Sequence, residues 1–98
     1  MVQRLEEKVR RYRDDILHVF GKRGITRVWL FGSVVREESR PDSDLDLMFE
    51  PPDGFSLLAH AAVARELAEL LGCRVDLVSP RGLKPRIRQR VMAEAVPL

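Results

Sequence analysis

The chain of 98 residues has one cysteine, no asparagine, one tryptophan, one tyrosine and no apolar run of membrane-spanning length. Each scarcity excludes something. A lone Cys73 cannot form an internal disulfide, and no Cys/His cluster has the spacing of a structural zinc site, so Cys73 reads as a small core residue. The lack of any span or leader-like segment makes a cytoplasmic location the expectation. Side-chain amides are confined to Gln3 and Gln89, a depletion of thermolabile residues shared with heat-adapted proteins.

What is present is an ordinary globular composition, 45% hydrophobic and 33% charged. A chain this short buries roughly 60–65% of its unfolded surface, which fits one domain over residues 1–98 without a second substrate lobe. The net charge of +2 is small, but the cations gather near the two ends: Arg4, Lys8, Arg10, Arg11 and Arg13, then Arg81, Lys84, Arg86, Arg88 and Arg90. On a first helix whose apolar stripe is Leu5, Val9, Tyr12, Ile16 and Val19, the early group falls on solvated faces.

That first helix is expected from about Gln3 to Lys22, stopped by Gly21 to Gly24. Ile25 to Phe31 reads as a buried strand with Val28 and Leu30 on one side, Trp29 and Phe31 on the other, and both sides covered. Gly32 permits a sharp turn, and Ser33 is a good cap for a short helix through Val34 to Glu38. Arg40-Pro41-Asp42-Ser43 is turn chemistry, and Asp42 belongs to the turn. From Asp44 to Glu50 the pattern alternates, placing Asp44, Asp46 and Met48 on one face and Leu45, Leu47 and Phe49 on the other.

After Pro51-Pro52-Asp53-Gly54, Ser56 caps a helix using Leu57, Leu58, Ala61, Leu67, Leu70 and Leu71, which Gly72 ends. Cys73 to Val78 is a short strand with Asp76 inside it. Ser79 to Gly82 is a loop, and Leu83 to about Ala95 is a last helix, with Pro85 in its first turn and Ile87, Val91 and Ala95 facing inward. The expected fold class is therefore α/β (α+β), a small mixed sheet flanked by helices in the order α-β-α-β-α-β-α.

Two carboxylates at i and i+2 of a strand repel unless a cation lies between them. Magnesium takes carboxylate oxygens and completes its shell with water and substrate phosphate, and paired ions in phosphoryl-transfer sites lie about 3.5–4 Å apart. Asp76, a charge within an apolar strand, is the best third acid, although it could instead pair with Arg74. Gly32 and Ser33, a tight turn with a hydroxyl and exposed amides, suit phosphate. Arg36 and Arg40 are further candidates to reach it. His18 and His60 have no evident partner and receive no role, and Tyr12 and Trp29 read as core.

The constellation Leu30-Phe31-Gly32-Ser33, ten residues, then Asp44-Leu45-Asp46, with Asp76 in Val75-Asp76-Leu77-Val78 and a terminal Glu94-Ala95-Val96-Pro97-Leu98, resembles the nucleotidyltransferase superfamily that includes DNA polymerase β. It is most similar to the minimal nucleotidyltransferases of bacteria and archaea. Arg36 and Arg40-Pro41-Asp42-Ser43 belong to the same likeness. The chain departs from it at Glu37, where the family often has glycine, and at Val34, where it often has a polar residue.

The resemblance implies catalysis with two magnesium ions on Asp44, Asp46 and Asp76, Asp76 helping to deprotonate the attacking hydroxyl, and Ser33 holding the β and γ phosphates of ATP. It implies AMP as the transferred group and, for minimal members, a helical HEPN toxin whose tyrosine is the acceptor, which makes the chain an antitoxin acting by adenylylation. Two other readings belong beside it: neutralisation of a HEPN partner by binding alone, and transfer to a small molecule or an RNA end. A homo- or hetero-oligomer would supply the missing acceptor surface, with nucleic acid the lesser expectation.

Overall fold

The computed structural model describes residues 4–40 and 42–98, so the expected helix start at Gln3 and the Pro41 position of the turn lie outside the described residues. Helix α1 is Leu5–Arg11 and α2 is Arg13–Gly21. They are one expected helix with a bend at Tyr12, whose φ/ψ of −102°/15° departs from helical values. The hydrogen bonds Tyr12 N–H to the Lys8 carbonyl (2.9 Å) and Ile16 N–H to the Tyr12 carbonyl (2.8 Å) carry the chain through it. Leu5, Val9, Ile16, Val19 and Phe20 are buried, so the predicted stripe is the packed face.

Strand β1 is Val28–Phe31, shorter than the run from Ile25, and β2 is Leu45–Phe49. Between them Gly32–Val34 forms a single 3-10 turn in place of the expected helix to Glu38. Ser33 lies inside that turn, and Phe31 holds the cap position. Helix α3, Leu57–Leu71, begins as read: the Ser56 hydroxyl accepts from the Ala59 N–H at 3.0 Å. It ends on Gly72 at φ 65°, a left-handed closure that glycine adopts freely. Strand β3 is Val75–Val78, and α4 is Pro85–Glu94 after a 3-10 turn at Pro80–Gly82. An additional strand, β4, Val96–Pro97, follows.

The sheet order is β3-β2-β1-β4. β2 and β3 run parallel, joined by the α3 crossover, while β1 is antiparallel to both β2 and β4, giving a mixed sheet. β4 escaped sequence reading because two residues carry no alternation to detect. It is defined by pairing Trp29 with Pro97 and Leu30 with Val96, and by the Leu98 N–H donating to the Val28 carbonyl at 2.9 Å.

The registers place Val28, Leu30, Leu45, Leu47, Phe49, Val75 and Leu77 on one face of the sheet and Trp29, Phe31, Asp46, Met48, Asp76 and Val78 on the other. The first face meets Ile16, Phe20, Val63, Leu67 and Leu71 of α2 and α3 in the main core. The second face is only part-covered around Trp29 and Phe31, which corrects the expectation that both are buried, and Trp29 lies under the Arg27 guanidinium at 5.3 Å. His60 has a structural post: its Nε2 bonds the Leu77 carbonyl at 2.8 Å and its ring packs on Phe49, pinning α3 to β3.

Two helical expectations are overturned. Leu57 and Leu58 are 87% and 84% exposed, because they point off the first turn of α3 before it reaches the sheet. α4 contains no buried residue, so Ile87 and Val91 do not join the core and Ala95 lies past the helix end. Among the described residues, no helix is long and apolar enough to cross a membrane.

Candidate active site

Asp46 is the centre of the second face. It stands opposite Phe31 on β1 and opposite Asp76 on β3, so two carboxylates occupy neighbouring strands at the same level. The i to i+2 spacing sets Asp44 beside them at the entry to β2. Burial raises Asp46 most, and the charges of Asp76 and then Asp44, with a hydrogen bond to Asp76, add to it; together they push its pKa up to about 6 from an ordinary 3.8. Arg36 acts in the opposite sense. A carboxylate so destabilised by like charges is one that a cation would relieve.

Gly32 supplies the approach. At φ 78° it holds a conformation that favours glycine, and a Cβ there would run into the Asp46 carboxylate. The position therefore disfavours any side chain for two separate reasons, one conformational and one steric. Ser33 follows in the 3-10 turn, and Arg36 lies just beyond it, donating to Glu38 at 3.2 Å and to both oxygens of Glu94 at 2.9 and 3.0 Å. These carboxylates hold the Arg36 guanidinium above its usual pKa, Glu38 foremost.

Asp44 and Asp76 are both exposed. Arg74 reaches Asp44 at 2.9 Å and the Asp42 carbonyl at 3.4 Å, so the pairing considered for Asp76 goes instead to Asp44. With Asp44 turned toward Arg74, no three acids, histidines or cysteines among the described residues converge on a single point. The donors are hard oxygens on one face, two of them at one level and the third held by an exposed ion pair of little strength. That set fits a divalent cation of the magnesium type once Asp44 leaves Arg74. Arg40 sits in the exposed loop, where the Ser43 hydroxyl accepts from its backbone N–H at 2.8 Å.

A cleft of about 390 Å³ opens beside these groups, between the end of β1 and α4. Gly32 and Arg36 line one wall, and Ile87, Arg90, Val91 and Glu94 line the other. Sequence reasoning read Ile87 and Val91 as inward-facing and Arg90 as one of a terminal basic cluster that could attract polyphosphate or RNA, and named none of these α4 residues for the site. The one available signal was Glu94, quoted within the terminal motif, but its arrival beside Gly32 depends on β4 folding back along β1.

Residues 14–98 match the family described as Polymerase beta, Nucleotidyltransferase. The chain is 40% identical over 73 residues to the protein adenylyltransferase MntA of Thermococcus cleftensis, covering 74% of each. A solved candidate minimal nucleotidyltransferase superposes with a TM-score of 0.85 at 48% identity, over 95% of both chains. A toxin–antitoxin crystal structure with AMP-PNP matches at a TM-score of 0.72 and 25% identity, over 95% of this chain and 71% of the other. With a part-buried Asp46 level with Asp76, a glycine fitted against it and a match that spans most of its length, the chain belongs to the polymerase β nucleotidyltransferase family.

Proposed function

We propose that the chain is a minimal nucleotidyltransferase that moves AMP from ATP to an acceptor hydroxyl, a tyrosine of a cognate HEPN toxin, and so acts as an antitoxin. The observation that carries this reading is the destabilised Asp46 carboxylate packed between Gly32 and Asp76. The name of the Thermococcus relative as a protein adenylyltransferase supports the reaction. The AMP-PNP bound to the related toxin–antitoxin pair supports the nucleotide and the kind of partner.

Two magnesium ions held by Asp44, Asp46 and Asp76 would supply the charge that neutralises the transferred phosphoryl group and the departing pyrophosphate. The chain's own residues do the rest. Asp76, which is exposed, takes in this reading the proton of the entering hydroxyl. The acceptor oxygen bonds to the α-phosphorus, the bond from that phosphorus to the bridging oxygen breaks, and pyrophosphate leaves with the electron pair. Gly32 lets the polyphosphate approach, Ser33 offers a hydroxyl to the β and γ groups, and Arg36, with Arg40 from the neighbouring loop, offers positive charge.

The test is intact-mass measurement on the chain and its co-purified partner with ATP and magnesium. The expected result is an increase of one or more AMP units on the partner, lost in the Asp44→Asn, Asp46→Asn double variant. A variant that silences the partner as fully as the parent, with no mass gain in either case, would establish neutralisation by binding alone. A mass gain on an RNA end or a small molecule instead of the partner would move the acceptor to that class.

A further inference from the structure

Glu94 closes α4, and its carboxylate is gripped by two groups assigned above to phosphate. The Gly32 backbone N–H donates to its Oε1 at 2.5 Å, and Arg36 Nη1 donates to Oε1 and Oε2 at 2.9 and 3.0 Å. An amide and a guanidinium aimed together at two anionic oxygens form the arrangement that also receives phosphoryl oxygens. We infer that Glu94 is an internal anion seated in the phosphate-receiving position of Gly32 and Arg36, so that the triphosphate must displace it and thereby loosens α4 from the sheet. This rests on the nucleotide-transfer reading and adds a regulatory contact to the same site.

Three features of α4 carry the inference further. The helix has no buried residue, so packing does little to hold it and the Glu94 contacts are its principal polar tie to the turn after β1. The cleft lies directly against that tie, and Arg90 lines it on the α4 side, so a polyanion entering there meets one cation on each wall. The exchange also conserves bonding: phosphoryl oxygens take the same donors, while the Glu94 carboxylate, already part-exposed, passes to water. A Glu94 that stayed in place would face the triphosphate with like charge.

The experiment is calorimetric titration of the parent chain, Glu94→Gln and Glu38→Gln with magnesium ATP and with inorganic tripolyphosphate, at low and at high salt. Glutamine keeps the size of Glu94 and an acceptor for the Gly32 N–H but removes the charge facing Arg36. The Gln variant should bind both ligands about tenfold tighter than the parent, and the gain should shrink with salt. Glu94→Ala, checked by circular dichroism for an intact fold, should shift in the same direction.

Binding by the parent with equal or weaker binding by Glu94→Gln would overturn the inference and make Glu94 a strut that holds Arg36 ready. An equal gain in Glu38→Gln, which also neutralises a partner of Arg36 but does not touch Gly32, would overturn it as well, since charge removal alone would then account for the effect. Binding of neither ligand by any variant would overturn the nucleotide reading along with it.

Discussion

At the scale of single residues, the site is shaped by conflicts left unrelieved. Asp46 titrates near 6 in the fold against an ordinary 3.8, so the folded state favours its protonated form. The stabilisation from that preference is complete below about pH 3.8 and is lost as the pH rises through about 6. Asp46→Asn should therefore raise unfolding stability at pH 7.5 by about 1 kcal/mol, a figure reduced for partial exposure, with little change at pH 4, while abolishing AMP transfer. Urea melts at both pH values check this. Gly32→Ala should abolish transfer as well, but with a loss of stability, because its methyl group has nowhere to go but into Asp46. Glu37 shows the opposite situation. Its φ of 56° is one that side chains adopt at a cost, and Glu37→Gly should stabilise the fold by up to about 1 kcal/mol in the same melts.

At the scale of elements, the helices divide by what they cover. α3 buries Val63, Leu67 and Leu71 against β2 and β3, and Lys22 and Arg23 at the end of α2 clasp its Glu66 at 2.7 and 3.0 Å. α4 walls a cleft and holds no fully buried residue, Val91 and Glu94 being only part-buried. Truncation should follow that division: Leu67→Ala should cost about 2–5 kcal/mol, and Met92→Ala, on a side chain 50% exposed, less than about 0.5 kcal/mol. Equilibrium denaturation of the two variants checks the contrast. The same contrast makes α4 the element free to respond to a ligand, since an element held by a few polar contacts opens at lower free energy than one held by the core.

At the scale of the whole molecule, the sheet sets acids from two strands side by side on the face that the main core leaves free, and folds the chain's end back beside them. Ligand binding at such a site should register globally. Magnesium with ATP at about 100 times its dissociation constant should add about 2.7 kcal/mol to the folding free energy. Thermal melts should show a higher midpoint with both together than with either alone, and the double Asp44→Asn, Asp46→Asn variant should show no such rise.

Much of this was written in the order of the residues. The alternation from Asp44 to Glu50 fixed which side chains share a face, because a strand repeats every two residues whatever surrounds it, and Ser56 and Gly72 bounded α3 through local hydrogen bonding and φ alone. The spacing of Gly32-Ser33 from the acids likewise needed nothing beyond the local pattern. Tertiary structure decided what depends on distant partners: that Asp76 stands level with Asp46, that Arg74 takes Asp44, that α4 contributes no residue to the core, and that Glu94 reaches the Gly32 amide across 62 positions of chain. Those outcomes come from sheet order and from the two-residue β4, and contacts made by strand pairing over long separations leave no periodic trace in the sequence.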